Sequence, residues 1–177
     1  MITRIDEAVQ VGALVTTVLS RLNNVRRAAI QFRNETPYEF LLDRSYHWHG
    51  RFEVPPDSPI QPGDVTVFGS ENKDNSILTG TCGCCLFQSK AADVDIAILW
   101  TNPYMGSYKA GATLGGHGET SRKSWDEIYD LCTSGYTEHS RSTDFRDFKI
   151  AYSAGELMMF SIQLAAKRAW LGPPTAP

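Results

Sequence analysis

Two periodicities succeed one another along the chain. Residues 2 to 22 place apolar side chains three and four apart: Val11, Leu14, Val15, Val18 and Leu22 fall on one helical face, while Ile2, Ile5, Val9 and Ala13 fall on another. The apolar face therefore rotates partway along, and Arg4, Asp6, Glu7, Gln10 and Arg21 take the remaining surface. This pattern predicts a helix that packs on a sheet through its second half, closed by Asn23-Asn24.

From Val25 onward the repeat shortens and β-branched and aromatic residues take over. Val25 to Phe32, Tyr38 to Leu42 and Tyr46 to Phe52 read as strands, with a turn at Asn34-Glu-Thr-Pro37 that is also an N-x-T sequon. Four prolines between Val54 and Gly63 remove ladder donors and predict a long edge loop. Val65 to Ser70, Leu78 to Phe87 and Val94 to Tyr104 then form three runs separated by polar turns, expected as consecutive antiparallel strands. Gly80, Thr81 and Gly83 leave room beside the middle run for another backbone or a ligand. Tyr108 to Gly118 holds a short strand beside a glycine loop. Ser124 and Glu127 form a capping box before a helix whose Trp125, Ile128, Tyr129 and Cys132 share a face. A polar loop over Tyr136 to Thr143, a strand over Asp144 to Tyr152, a turn at Ser153-Ala-Gly-Glu156 and a closing strand over Leu157 to Leu164 complete the pattern. The predicted organisation is a helical region at 1–24, an antiparallel β-sandwich at 25–164 and a tail at 165–177 with one helical turn before Gly172-Pro-Pro.

Composition narrows the function classes. A chain of 177 residues, 42% hydrophobic and 21% charged, is one ordered domain with extensions. A net charge of −3 gives no general attraction to nucleic acid or anionic lipid. No apolar run reaches the roughly 18 to 20 residues of a lipid-facing span. The opening Met-Ile-Thr-Arg-Ile-Asp-Glu lacks the basic start of a signal peptide, so the chain is expected to be cytosolic or to follow a removed leader. About 21 residues of helix at 1.5 Å rise measure about 31 Å, one hydrocarbon thickness, so the first helix could cross a bilayer only with its polar face lining water among several copies.

Cys82, Cys84 and Cys85 are crowded into one strand, the first two pointing one way and the third the other, and read as buried thiols, with a bridge to Cys132 left open. His47 and His49 stand two apart on one side of an extended segment, without acidic or cysteine partners nearby in sequence, and no metal or cofactor is expected. His117-Gly-Glu119 is a weaker cation candidate. No G-x-S-x-G, HExxH or P-loop pattern occurs, and the chain is not expected to be an enzyme. The corner Trp100-Thr-Asn-Pro-Tyr104 combines apolar bodies with polar tips, which suits a ligand cleft or a membrane interface.

The order of these parts resembles the actinoporin-like pore-forming proteins. The likeness rests on the first helix, Val25-Arg-Arg, Tyr46-His-Trp-His-Gly50, Phe68-Gly-Ser, Leu78-Thr-Gly-Thr-Cys82, Leu99-Trp-Thr-Asn-Pro-Tyr104, Trp125-Asp-Glu-Ile-Tyr129 and Ser153-Ala-Gly-Glu156. It implies a β-sandwich flanked by two helices, secreted as a soluble monomer, that binds phosphocholine headgroups such as sphingomyelin, forms a homo-oligomer on the membrane and inserts its first helix. The resemblance places the headgroup pocket on His49, Cys82, Thr101, Pro103, Trp125 and Tyr129, with Tyr104 and Tyr108 in the interfacial aromatic cluster. Ile5, Val9, Val11, Leu14, Val15, Val18 and Leu22 would enter the membrane. Asp130 stands where another tyrosine is expected, and the loop Met105-Gly-Ser-Tyr-Lys109 is poor in aromatics. That poverty favours an alternative reading, a non-lytic lectin-like module of the same architecture that binds a carbohydrate or a lipid.

Overall fold

The computed structural model describes residues 4–73 and 79–165, with side chains from residue 8 onward. Helix α1 (Arg4–Arg21) leads into β1 (Arg27–Glu35), β2 (Leu41–His49), β3 (Arg51–Val54), β4 (Val65–Glu71), β5 (Thr81–Ser89), β6 (Val94–Asn102) and β7 (Lys109–Gly115). Helix α2 (Trp125–Thr133) precedes β8 (Ser140–Phe145), β9 (Phe148–Ser153) and β10 (Leu157–Leu164). One sheet runs β3-β4-β1-β10-β9-β8, the other β2-β5-β6-β7, and together they form the mainly β sandwich that the sequence predicts. The β1–β10 pair is parallel, a departure from the all-antiparallel expectation.

Alternation builds the core between the sheets. Ile30 and Phe32 of β1, Ile150 and Tyr152 of β9 and Met158, Phe160 and Ile162 of β10 meet Cys85, Phe87, Ile96, Ile98 and Trp100 of the other sheet. Phe32 stacks on Phe87 with centroids 4.8 Å apart. Each such side chain contributes roughly 1.5 to 3 kcal/mol when withdrawn from water. Strands β5 and β6 are buried on both faces because α2 covers the outside: Ile128 and Cys132 of α2 pack on Cys84, Leu86, Ala97 and Leu99. The Ser124–Glu127 capping box starts α2 as predicted.

Helix α1 lies on the outer face of the other sheet, and among the described side chains those packed there come from its second half. Val18 and Leu22 are buried with Ala29 and Val67, whereas Val9 and Leu14 are 66% and 47% exposed. A Cβ on Gly69 would stand 2.8 Å from Leu22 and 2.9 Å from Val18, so only glycine lets the helix sit this close. The buried Glu71 carboxylate closes the helix exit, accepting hydrogen bonds from the Asn23 and Asn24 amides at 2.9 and 3.1 Å and pairing with Arg51 at 3.1 Å.

Several expectations are corrected. The run Val65–Ser70 is β4, which belongs to the opposite sheet from β5 and β6, so the three central runs are not successive neighbours. The segments expected as separate strands at Tyr38–Leu42 and Tyr46–Phe52 are one strand, β2, and a short β3 in the other sheet; Gly50, at φ +90°, makes the corner between them. Asn34 lies inside β1, fully buried, and its amide nitrogen donates to Tyr38, Ile60 and Gln61 carbonyls, which removes the sequon from any modifying enzyme in the folded state. The predicted polar loop at Tyr136–Thr143 contains the start of β8. All four cysteines are free and buried, and the bridge to Cys132 does not form. The helical turn expected in the tail lies outside the described residues.

Candidate functional site

One end of the four-stranded sheet carries a two-lobed cleft. Pairing registers put His49 of β2 beside Cys82 of β5 and Cys82 beside Thr101 of β6, so three predicted residues form a single row across three strands. His49 and Cys82 line both lobes. The smaller lobe, about 230 Å³, adds Thr79, Gly80, Thr81, Thr101, Pro103 and Tyr104. The larger, about 380 Å³, adds Trp48 and, from α2, Asp126, Tyr129 and Asp130.

Local packing explains the shape. A Cβ on Gly80 would fall 2.0 Å from the Asn102 carbonyl, so the strand approach brings Thr79 and Thr81 hard against the Pro103 corner. At Gly83 the missing side chain is replaced by the Trp100 indole and the His47 ring. At these two glycines the protein's own backbone and rings take the room, while Gly80 and Thr81 also line the smaller lobe. Trp48 and Tyr129 meet edge to face at 4.9 Å and form the aromatic side of the larger lobe. Burial lifts the Cys82 thiol to about 11, with a hydrogen bond to Thr101 acting the other way, so Cys82 is a neutral, unreactive part of the wall.

Six of the eight predicted pocket residues gather here: His49, Cys82, Thr101, Pro103, Tyr104 and Tyr129. The other two sit elsewhere. Trp125 is behind the cleft, stacked on Tyr46 at 5.4 Å with the Arg44 guanidinium 4.5 Å over its ring. Tyr108 packs on the inter-sheet core, its hydroxyl raised in pKa by burial and by Glu156. The two histidines expected on one side of a strand are divided by a register shift between them. His47 lies between Phe52 and Trp100, shares a hydrogen bond of 2.9 Å with Ser70 and is held at about 4, first by burial and then by Lys73. His49 alone faces the cleft.

Sequence reasoning passed over Trp48, Thr79 and Asp126 as lining residues, and saw Asp130 only as a replaced tyrosine. The i, i+3 and i, i+4 spacing of Asp126, Tyr129 and Asp130 was the available signal for one shared face.

Beside the smaller lobe the chain presents bare apolar tips. Met105 is 82% exposed and Val25 is 91% exposed. Arg26 ties their two loops together, donating to the Tyr104 carbonyl and lying 5.6 Å over the Tyr104 ring. Among the described residues no helix is long and apolar enough to cross a membrane.

No protein-family model and no curated sequence matches the chain. Among solved structures the fold is similar to that of the lipid binding protein Nakanori, with a TM-score of 0.73 and 14% identity, covering 90% of this chain and 80% of that one. At that identity the likeness is one of fold.

Proposed function

We propose that this chain is a divergent actinoporin-like protein that binds a zwitterionic lipid headgroup, assembles on the membrane and inserts α1 to open a pore, without catalytic turnover. The attachment of α1 carries the reading: Val18, Leu22 and the Glu71 clasp hold one end, while Val9 and Leu14 already face outward. A membrane that accepts those side chains favours the detached helix by their apolar area. The fold shared with a lipid binding protein supports the lipid as partner. In this proposal the hydroxyls of Thr79 and Thr101 receive the phosphate, the Trp48–Tyr129 side receives the ammonium, and Met105 and Val25 dip among the headgroups. Sphingomyelin is the headgroup lipid that the family resemblance brings forward, and the protein would reach it from outside the cell as a secreted monomer.

A second reading, a non-lytic glycan-binding module, draws on a different surface. An open dish of about 590 Å³ on the outer face of β1, β10, β9 and β8 is lined by Gln31, Arg33, Ser142, Lys149, Ser161 and Gln163. Dye release from liposomes separates the two. The intact chain is expected to bind and release dye, and a chain lacking residues 1–22 to bind without release; binding by both with release by neither would favour the glycan module, and equal release by both would sink the role of α1.

A further inference from the structure

Neither lobe of the cleft is lined by a lysine or arginine. A zwitterionic headgroup seated there brings a phosphate whose charge the lining leaves unmatched, and neutral donors hold a phosphate less strongly than a guanidinium does. A cation for it has to come from the rim. Lys109, in register with Thr101, pairs with Glu138 at 3.7 Å. Arg27 is also taken up by the protein, pairing with Glu156 at 3.0 Å and donating to the Leu22 carbonyl at 2.8 Å. Arg26 differs. Among the described residues no carboxylate pairs with it, its side chain donates only to the Tyr104 carbonyl, and its Nε is buried without an acceptor. A guanidinium carries five N–H donors, so most of this one's capacity is unspent.

Its position points the same way. Tyr104, whose carbonyl and ring hold Arg26, lines the smaller lobe. Each side of that contact is next in sequence to a bare apolar tip: Val25 precedes Arg26 and Met105 follows Tyr104, 91% and 82% exposed. With both tips at the boundary between headgroups and acyl chains, a group one residue behind them, about 3.8 Å along the chain, stands at the level of the lipid phosphates. Apolar tips backed by a guanidinium suit an interfacial contact, the tips entering the apolar side and the charge staying with the headgroups. We infer that Arg26 is a lipid-phosphate contact: its guanidinium, kept over Tyr104 in the free chain, takes the phosphodiester of the lipid whose headgroup enters the smaller lobe. This rests on the lipid-headgroup reading and adds to it the cation that the cleft lacks. The bond to the Tyr104 carbonyl holds the side chain at the rim before a lipid arrives, and a charged acceptor then outcompetes a neutral one for the same donors.

The test has two arms. Binding to phosphatidylcholine vesicles with one third sphingomyelin is compared for the intact chain, Arg26→Gln and Arg122→Gln. Arg122 is exposed and follows Thr120 and Ser121, whose amides donate to Asp95 at the start of β6, the end away from Thr101. Arg26→Gln is expected to bind about tenfold more weakly. Arg122→Gln, which removes the same charge, is expected to stay within about twofold of the intact chain, and both variants to melt within about 3 °C of it. In the second arm the Arg26 Nε–H resonance of the intact chain is followed on adding dodecylphosphocholine or dodecyl maltoside micelles, which share an alkyl tail and differ in phosphate. A shift with the first alone is expected. Equal shifts in both, or none in either, mean that Arg26 only ties two loops together and overturn the contact, as does an equal loss of vesicle binding in the two variants; the lipid reading stands as long as the intact chain binds vesicles. Absence of vesicle binding by the intact chain overturns the lipid reading and the lipid contact together. If free glycerophosphocholine still shifts the Arg26 resonance in that case, the phosphate it takes is one in solution rather than in a bilayer.

Discussion

The two helices sit on opposite sides of one sandwich and are fastened in opposite ways. Helix α2 is nine residues long, starts with a complete capping box and seals Ile128 and Cys132 against β5 and β6, so removing it would open the outer face of the four-stranded sheet. Helix α1 is twice that length, yet its anchorage is Val18, Leu22, the Gly69 seat and the carboxylate of Glu71. The strand pairings of the sheet beneath α1 are made entirely among β1, β3, β4, β8, β9 and β10, none of them with the helix. The lesson is that length does not measure attachment: a helix belongs to a core in proportion to the apolar area it closes.

This contrast is open to attack at graded cost. Ile128→Ala, which leaves a cavity beneath α2, is expected to lower global stability by about 3 kcal/mol in denaturant unfolding. Acid provides the next test. His47 is held at about 4 against an ordinary 6.5, so the unfolded chain takes up its proton first; stability present above pH 6.5 is lost as pH falls towards 4, by roughly 2 to 3 kcal/mol. That loss strikes the sandwich and hence α2, and His47→Gln is expected to flatten the profile between pH 6.5 and 4.5. Glu71→Gln weakens the pairing with Arg51 and the clasp on the Asn23 and Asn24 amides, an expected cost of about 2 kcal/mol that appears chiefly as faster proteolysis of α1. Smallest of all, Val9→Ser with Leu14→Ser is expected to change stability by no more than about 0.5 kcal/mol, because both side chains are already wet, while suppressing dye release.

The sequence announces what is local. The capping box of α2, the half-burial of α1 and the opposed faces of Cys84 and Cys85 follow from spacing alone, and each stands in the structure. Long-range pairing is less visible. Nothing in Val65–Ser70 says which sheet it joins, since that depends on the corner at Gly50 and on the path between β4 and β5. Strand β8, Ser140-Arg-Ser-Thr-Asp-Phe145, has no apolar alternation because it is an edge strand whose partner β9 supplies the order. At the site, the row His49–Cys82–Thr101 brings together positions that the family likeness had named, whereas the shift that separates His47 from His49 is a property of the pairing with β5.

Native-state hydrogen exchange of the intact chain measures directly whether α1 leaves while the sandwich stays. The account expects amides across the first half of α1 to exchange through local opening at a free energy several kcal/mol below that of α2 and β5, with the gap widening in Glu71→Gln. Protection of α1 up to the global unfolding free energy, equal to that of α2, would contradict it.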